Sequence, residues 1–172
     1  MDTEFTREWE RRVNEFLTEP VPEAVRERGR RTAADIIAAS VAGTATPAIE
    51  GVAADADFPD GEAGVLGTDR RVAPANAALL NTAAAITPEI EEGHNTGGHV
   101  GASIVAGGLP AAETAGVDGA EFVDAVVRAY EICVRIERAI FAMKDRMNDA
   151  VPWLVRNPHS TWTTVGPAVT SA

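Results

Sequence analysis

Cysteine, lysine and histidine are all scarce in this 172-residue chain. Cys133 stands alone, which excludes a disulfide framework and a paired-cysteine metal site. Its apolar surroundings mark it as a small buried residue. Lys144 is the sole lysine among fifteen basic residues, the rest being arginine. Aromatic residues make up 5% of a chain that is 45% hydrophobic, so the core has to be built from small aliphatic side chains. No apolar run is long enough to span a bilayer. The charged start Met1-Asp2-Thr3-Glu4 is not followed by the apolar stretch of a secretory signal. A cytoplasmic, soluble protein is the expectation. Positive charge is in deficit as well: the net charge is −11 and the pI about 4.7. Nucleic acid is excluded as a partner because counterion release needs a basic face, and no membrane partner is expected. Dense carboxylates with almost no lysine suit a protein kept hydrated in high salt, and equally an acidic protein from a GC-rich genome.

What the chain does have is alanine at helical spacing. A length of 172 residues suits one domain with its own core. Phe5, Trp9, Val13, Phe16 and Leu17 recur at helical intervals and predict a helix over 5–18. Pro22 suits the first turn of a second helix reaching about residue 42, with Gly29 as a point of weakness. Thr46-Pro47 reads as a cap followed by proline, opening a short helix to about 54. An acidic Pro/Gly loop follows over 55–64, then a short extended piece over 65–68, then a helix over 74–86. Residues 100–115 are apolar and helical, weakened or kinked by Gly107, Gly108 and Pro110. Asp118 caps the longest helix, 120–143. A loop over 148–158 carries Trp153, and Ser160 or Thr161 caps a last helix. The fold class predicted is all-α, a helical bundle-like domain.

One segment carries most of the chemistry. Pro88-Glu89-Ile90-Glu91-Glu92-Gly93-His94-Asn95-Thr96-Gly97-Gly98-His99 holds two of the three histidines with three carboxylates and three glycines. Imidazole titrates near neutrality, so its concentration in a glycine-rich loop points to acid–base work. The third histidine, His159, lies in Asn157-Pro158-His159-Ser160-Thr161-Trp162. Glycines 93, 97 and 98 allow close approach of backbone to a ligand. A helix opening near Ser160 would offer its positive end to an anion beside His159. Each feature has a plainer reading. The glutamates on their own form a solvated acidic loop, His94 packs in the loop, and His99 caps the following helix. Tyr130 and Arg135 stabilise the long helix, and Arg70-Arg71 sit on an exposed turn. Neither HExxH spacing nor another standard ligand pair is present, so no metal and no cofactor are expected.

Several segments then occur in a telling order. They are Ala34-Asp35-Ile36-Ile37-Ala38-Ala39-Ser40-Val41-Ala42-Gly43, Val65-Leu66-Gly67, Ala75-Asn76-Ala77-Ala78-Leu79-Leu80-Asn81-Thr82-Ala83, Glu91-Glu92-Gly93-His94, Gly98-His99, Leu109-Pro110-Ala111-Ala112-Glu113, the run 119–132 and His159-Ser160-Thr161-Trp162-Thr163-Thr164-Val165-Gly166. In this the chain resembles the MmgE/PrpD family, which contains 2-methylcitrate dehydratase, cis-aconitate decarboxylase and iminodisuccinate epimerase. The resemblance covers 1–172 as the family's N-terminal helical part, with the lid domain absent, and implies a chain truncated relative to other members. It implies His99 and His159 as catalytic acid–base residues, and Glu89, Glu92, Gly93, His94 and Gly98 as substrate-binding positions. Glu89 matches an aspartate that helps line the family's pocket. Gly93 stands where many members have threonine, and His94 replaces an aromatic. The pocket's lysines and its further histidine and tyrosine fall beyond Ala172. The implied activity is metal-independent dehydration or isomerisation of small polycarboxylates such as 2-methylcitrate, by a homodimer or with a lid-bearing partner chain. The alternative is a non-catalytic split subunit that assembles with such a partner. A metal-binding module is a third reading.

Overall fold

Alanine-rich helices with glycine at their crossing points let backbones come close, and close approach governs this architecture. The computed structural model describes residues 3–55, 57–95, 98–150 and 159–172. Among them run seven α-helices: α1 (Thr3–Thr18), α2 (Glu23–Thr44), α3 (Pro47–Asp55), α4 (Pro74–Ile86), α5 (Gly107–Ala115), α6 (Gly119–Ala150) and α7 (His159–Thr170). A π-helical turn, Ala102–Ala106, leads into α5. One antiparallel hairpin joins β1 (Asp60–Gly64) to β2 (Arg71–Val72). The fold is all-α, as the sequence predicts.

Helices α2 and α4 pair at the centre. At Gly43 a Cβ would lie 1.8 Å from the Ala84 carbonyl oxygen, so the two backbones touch there. Ile36 on α2 and Leu80 on α4 are fully buried, each contributing about 1.5–3 kcal/mol of apolar transfer. Gly29 does not break α2. It faces α6, where a Cβ would meet Val127 at 2.7 Å. Beside it Arg26 grips Asp124 with two prongs, Nε to Oδ1 at 2.6 Å and Nη2 to Oδ2 at 2.8 Å. That guanidinium holds the Asp124 carboxyl below the usual range.

Helix α7 lies on the π-turn and on α6. A Cβ at Gly166 would meet Ile104 Cγ1 at 2.7 Å and Cys133 Sγ at 3.3 Å. Cys133 is fully buried, and burial pushes its thiol up to about 12. The expected kink in 100–115 is this π-turn. Pro110 lacks the N–H that an α-helix would aim at the Ala106 carbonyl, and the widened turn ends at that residue.

Three boundaries, and the setting of Arg70 and Arg71, differ from the expectation. The extended piece lies in the acidic segment at 60–64, while 65–68 forms the connection to β2, with Thr68 N–H reaching the Val65 carbonyl. Helix α6 runs on to Ala150, so only 151–158, with Trp153, is left of the predicted loop, and it lies outside the described residues. Helix α7 begins at His159, one residue before its expected cap, and the side chains of Ser160 and Thr161 lie outside the described set. Arg70 and Arg71, read as an exposed turn, lie where the connection enters β2, Arg71 exposed and Arg70 half-buried, and both are engaged. Arg70 donates to the Ala53 and Phe58 carbonyls, and Arg71 pairs with Glu113 at 3.3 Å.

Asp118 caps α6 as predicted, its Oδ1 accepting from the N–H groups of Ala120 and Glu121. Helix α1 covers its predicted span and starts two residues earlier, at Thr3; the first half of its apolar edge is uncovered, with Phe5 70% and Trp9 59% exposed, while Val13, Phe16 and Leu17 are half-buried. Among the described residues no single helix is long and apolar enough to cross a membrane.

Candidate functional site

The link between α4 and the helical start at Val100 holds two of the chain's three histidines, His94 and His99, with Glu89, Glu91 and Glu92. Helix α4 stops at Thr87-Pro88, and Glu89 takes a left-handed backbone, φ 51°. That conformation is uncommon for a residue with a side chain. It turns the chain back toward α2, where the Glu92 N–H donates to Asp35 Oδ2 at 2.8 Å. Glu89 itself is exposed.

The two adjacent glutamates go to different partners. Glu92 Oε2 accepts the Gly101 N–H at 2.8 Å, and its Oε1 accepts the Tyr130 hydroxyl. At Gly101 a Cβ would lie 2.2 Å from Glu92 Oε2, so only glycine admits the carboxylate there. Burial raises the Glu92 carboxyl above its ordinary range and outweighs these donors, which favour the anion. Burial and the Glu92 carboxylate together push the Tyr130 phenol up, so it stays a hydrogen-bond donor.

Glu91 instead meets His99. Its side chain is 1% exposed, and Oε1 lies 3.2 Å from His99 Nδ1. Its other oxygen is buried with no hydrogen-bond partner. The His99 side chain is 43% exposed. Gly93 lies against this ring, where a Cβ would sit 3.7 Å from Cε1, so the missing side chain leaves one face of the imidazole open. Nothing in the backbone at Gly93 demands glycine; the effect is access.

His94 closes the loop onto Gly98, its N–H donating to the Gly98 carbonyl at 2.7 Å. Its ring stands edge-on to Tyr130, centroids 5.9 Å apart. Gly97 lies outside the described residues. His159 opens α7, and its side chain too lies outside them. Gly166, which touches Ile104, follows seven residues later, so the His159 backbone stands about 10 Å along the helix axis from the π-turn.

A groove of about 520 Å³ borders His94 and Tyr130, between the end of α1, the start of α2 and α6. Arg28, Arg128 and Arg135 line it with Glu19 and Glu131. Arg135 is taken by Glu131 at 2.8 Å. Among the described residues Arg28 and Arg128 have no carboxylate within ion-pair distance. This is positive charge next to an acidic loop, and it comes from two helices, α2 and α6, that no local motif connects. Also among the described residues, no group of three or more His, Cys, Asp or Glu side chains is placed to hold a metal ion.

A family model for the MmgE/PrpD N-terminal domain matches residues 11–172. The chain belongs to the MmgE/PrpD family. No curated protein and no solved structure matches it. Within this MmgE/PrpD domain, Asp35, Glu91, Gly101, Tyr130, Arg28 and Arg128, the last donating to the Glu19 carbonyl at 3.1 Å, are the site-region residues that the sequence does not single out. Glu91 stood inside the motif, but nothing local separated it from Glu92. Tyr130, the only tyrosine, was the one signal that scarcity offered.

Proposed function

We propose that this MmgE/PrpD domain carries the proton-transfer centre of a metal-independent lyase or isomerase acting on small polycarboxylates, with 2-methylcitrate as the first substrate to test. The observation that supports it is the half-open imidazole of His99, with Glu91 Oε1 3.2 Å from its Nδ1 and one face bared by Gly93. A histidine so placed has one nitrogen fixed and the other available, the arrangement a general base needs.

In dehydration the base takes the proton from the carbon beside a carboxylate. The C–H electron pair becomes the new C=C bond, and the hydroxyl leaves with a proton from an acid as water. His99 is the candidate for one of these transfers and His159 for the other. Isomerisation uses the first transfer and its reversal on the opposite face. Arg28 and Arg128 in the neighbouring groove are candidates for receiving substrate carboxylates. A second reading is assembly with a lid-bearing partner chain, favoured by the uncovered apolar edge of α1 at Phe5 and Trp9.

One experiment addresses both. Absorbance of the unsaturated acid formed from 2-methylcitrate is followed with the chain alone and with a lid-bearing partner, at low and high salt. Turnover that falls at least about 100-fold in His99→Ala and in His159→Ala is the expected result, the usual scale for loss of a general acid or base. Turnover retained when both are alanine refutes the acid–base reading, and activity of the chain alone refutes the need for a partner.

A further inference from the structure

The Glu91 carboxylate is a costly thing to bury. Removing a charge from water is unfavourable unless it is paired and fully hydrogen-bonded. Here one oxygen lies 3.2 Å from His99 Nδ1, within ion-pair distance, and the other has no hydrogen-bond partner. The loop does not need Glu91 as an anchor. Glu92 already ties it to Gly101 and Tyr130, and the Glu92 N–H ties it to Asp35 on α2. An amide would fill the same space without the charge. A buried polar atom left unsatisfied in a native fold calls for an explanation other than stability.

We infer that Glu91 is a positioning residue for His99: its carboxylate accepts the Nδ1–H, fixes the neutral ring as the Nδ1–H tautomer, and leaves the Nε2 lone pair to take a substrate proton. This rests on the proposed role of His99. When Nε2 gains the proton the ring becomes a cation, and the buried anion beside it balances that charge in a region of low dielectric. The other charged or titratable groups whose fields meet here are Glu92 and, through it, His94 and Tyr130. Glu92 is engaged on both oxygens, so Glu91 is the carboxylate with capacity left.

Nitrogen-15 NMR of the imidazoles in the intact chain tests this without any need for turnover. In the parent protein neutral His99 is expected as the Nδ1–H tautomer, with a downfield Nδ1–H resonance. Glu91→Ala should return the ring to the Nε2–H tautomer that free imidazoles prefer in water. Glu91→Gln keeps the size of the side chain, guards against a folding failure in the alanine variant, and should move the Nδ1–H resonance upfield by removing the charge. A parent spectrum showing the Nε2–H tautomer, or variants with an unchanged His99 signature, overturns the inference. Failure of the His99→Ala turnover test would leave the tautomer result standing, so the two claims fail separately.

Discussion

The hairpin corner and the His99 loop are both polar turns packed against α4, yet they treat their polar groups differently. In the corner, Asn81 is fully buried and both ends of its amide are in use: Oδ1 accepts the Leu66 N–H and Nδ2 donates to the Gly64 carbonyl. Ser40 donates to the Asn81 carbonyl, and Glu113 accepts the Gly64 N–H. Every group named there finds a partner. The His99 loop has a residue in a left-handed backbone, a buried carboxylate oxygen without a partner and an imidazole with one side open. A turn that only supports a fold settles its hydrogen bonds internally. A turn that keeps strain and open valence in the same few residues is holding them for something else.

The largest effect that breaks this contrast is in the corner. Asn81→Ala removes two hydrogen bonds and strands the Leu66 N–H and Gly64 carbonyl, costing about 2–4 kcal/mol in urea unfolding. Gly101→Ala comes next, and it strikes the loop. Its Cβ displaces the Glu92 carboxylate from 2.2 Å, costing about 1–3 kcal/mol by overpacking and freeing the Tyr130 hydroxyl, which ultraviolet titration of the sole tyrosine would register.

The smallest effect is a pH dependence, and its sign separates the loop's Glu92 from the Arg26–Asp124 pair between α2 and α6. Burial raises the Glu92 carboxyl above its ordinary value of 4.5. Between that value and its raised one the folded state binds more protons than the unfolded state, so stability falls as pH rises through the window and is regained as pH drops toward 4.5. Glu92→Gln should abolish that slope. Asp124, lowered by Arg26, has the opposite sign: its contribution is in full force above about 3.8 and is lost on further acidification. Melting temperature measured from pH 7 to pH 3 for the parent and the Gln variant would show both.

How far the chain could be read before its fold was known follows the same division. Helix α4 was recovered residue for residue, because Pro74 fixes its first turn and Thr87-Pro88 cannot continue it. Helix α3 was recovered through Thr46-Pro47. Strand β1 was not, because Asp60-Gly61-Glu62-Ala63-Gly64 has no β-branched alternation. Its extended form is imposed by Val72 across the hairpin and by Asn81 and Glu113 beneath it. In the loop, His99 and its glycines were visible as a cluster. The sorting of Glu91 from Glu92 was not, since it depends on Asp35 and Tyr130, which lie 57 and 38 positions from Glu92. Spacing reveals which residues are neighbours in the chain; which carboxylate is buried is decided by segments that arrive from elsewhere.

The rate at which a double bond forms in 2-methylcitrate, compared between the parent protein and His99→Ala with the partner chain present, bears most directly on this account. A fall of about 100-fold or more is predicted for loss of a general base; an unchanged rate would mean that the open imidazole in the Glu91 loop takes no part in moving the proton.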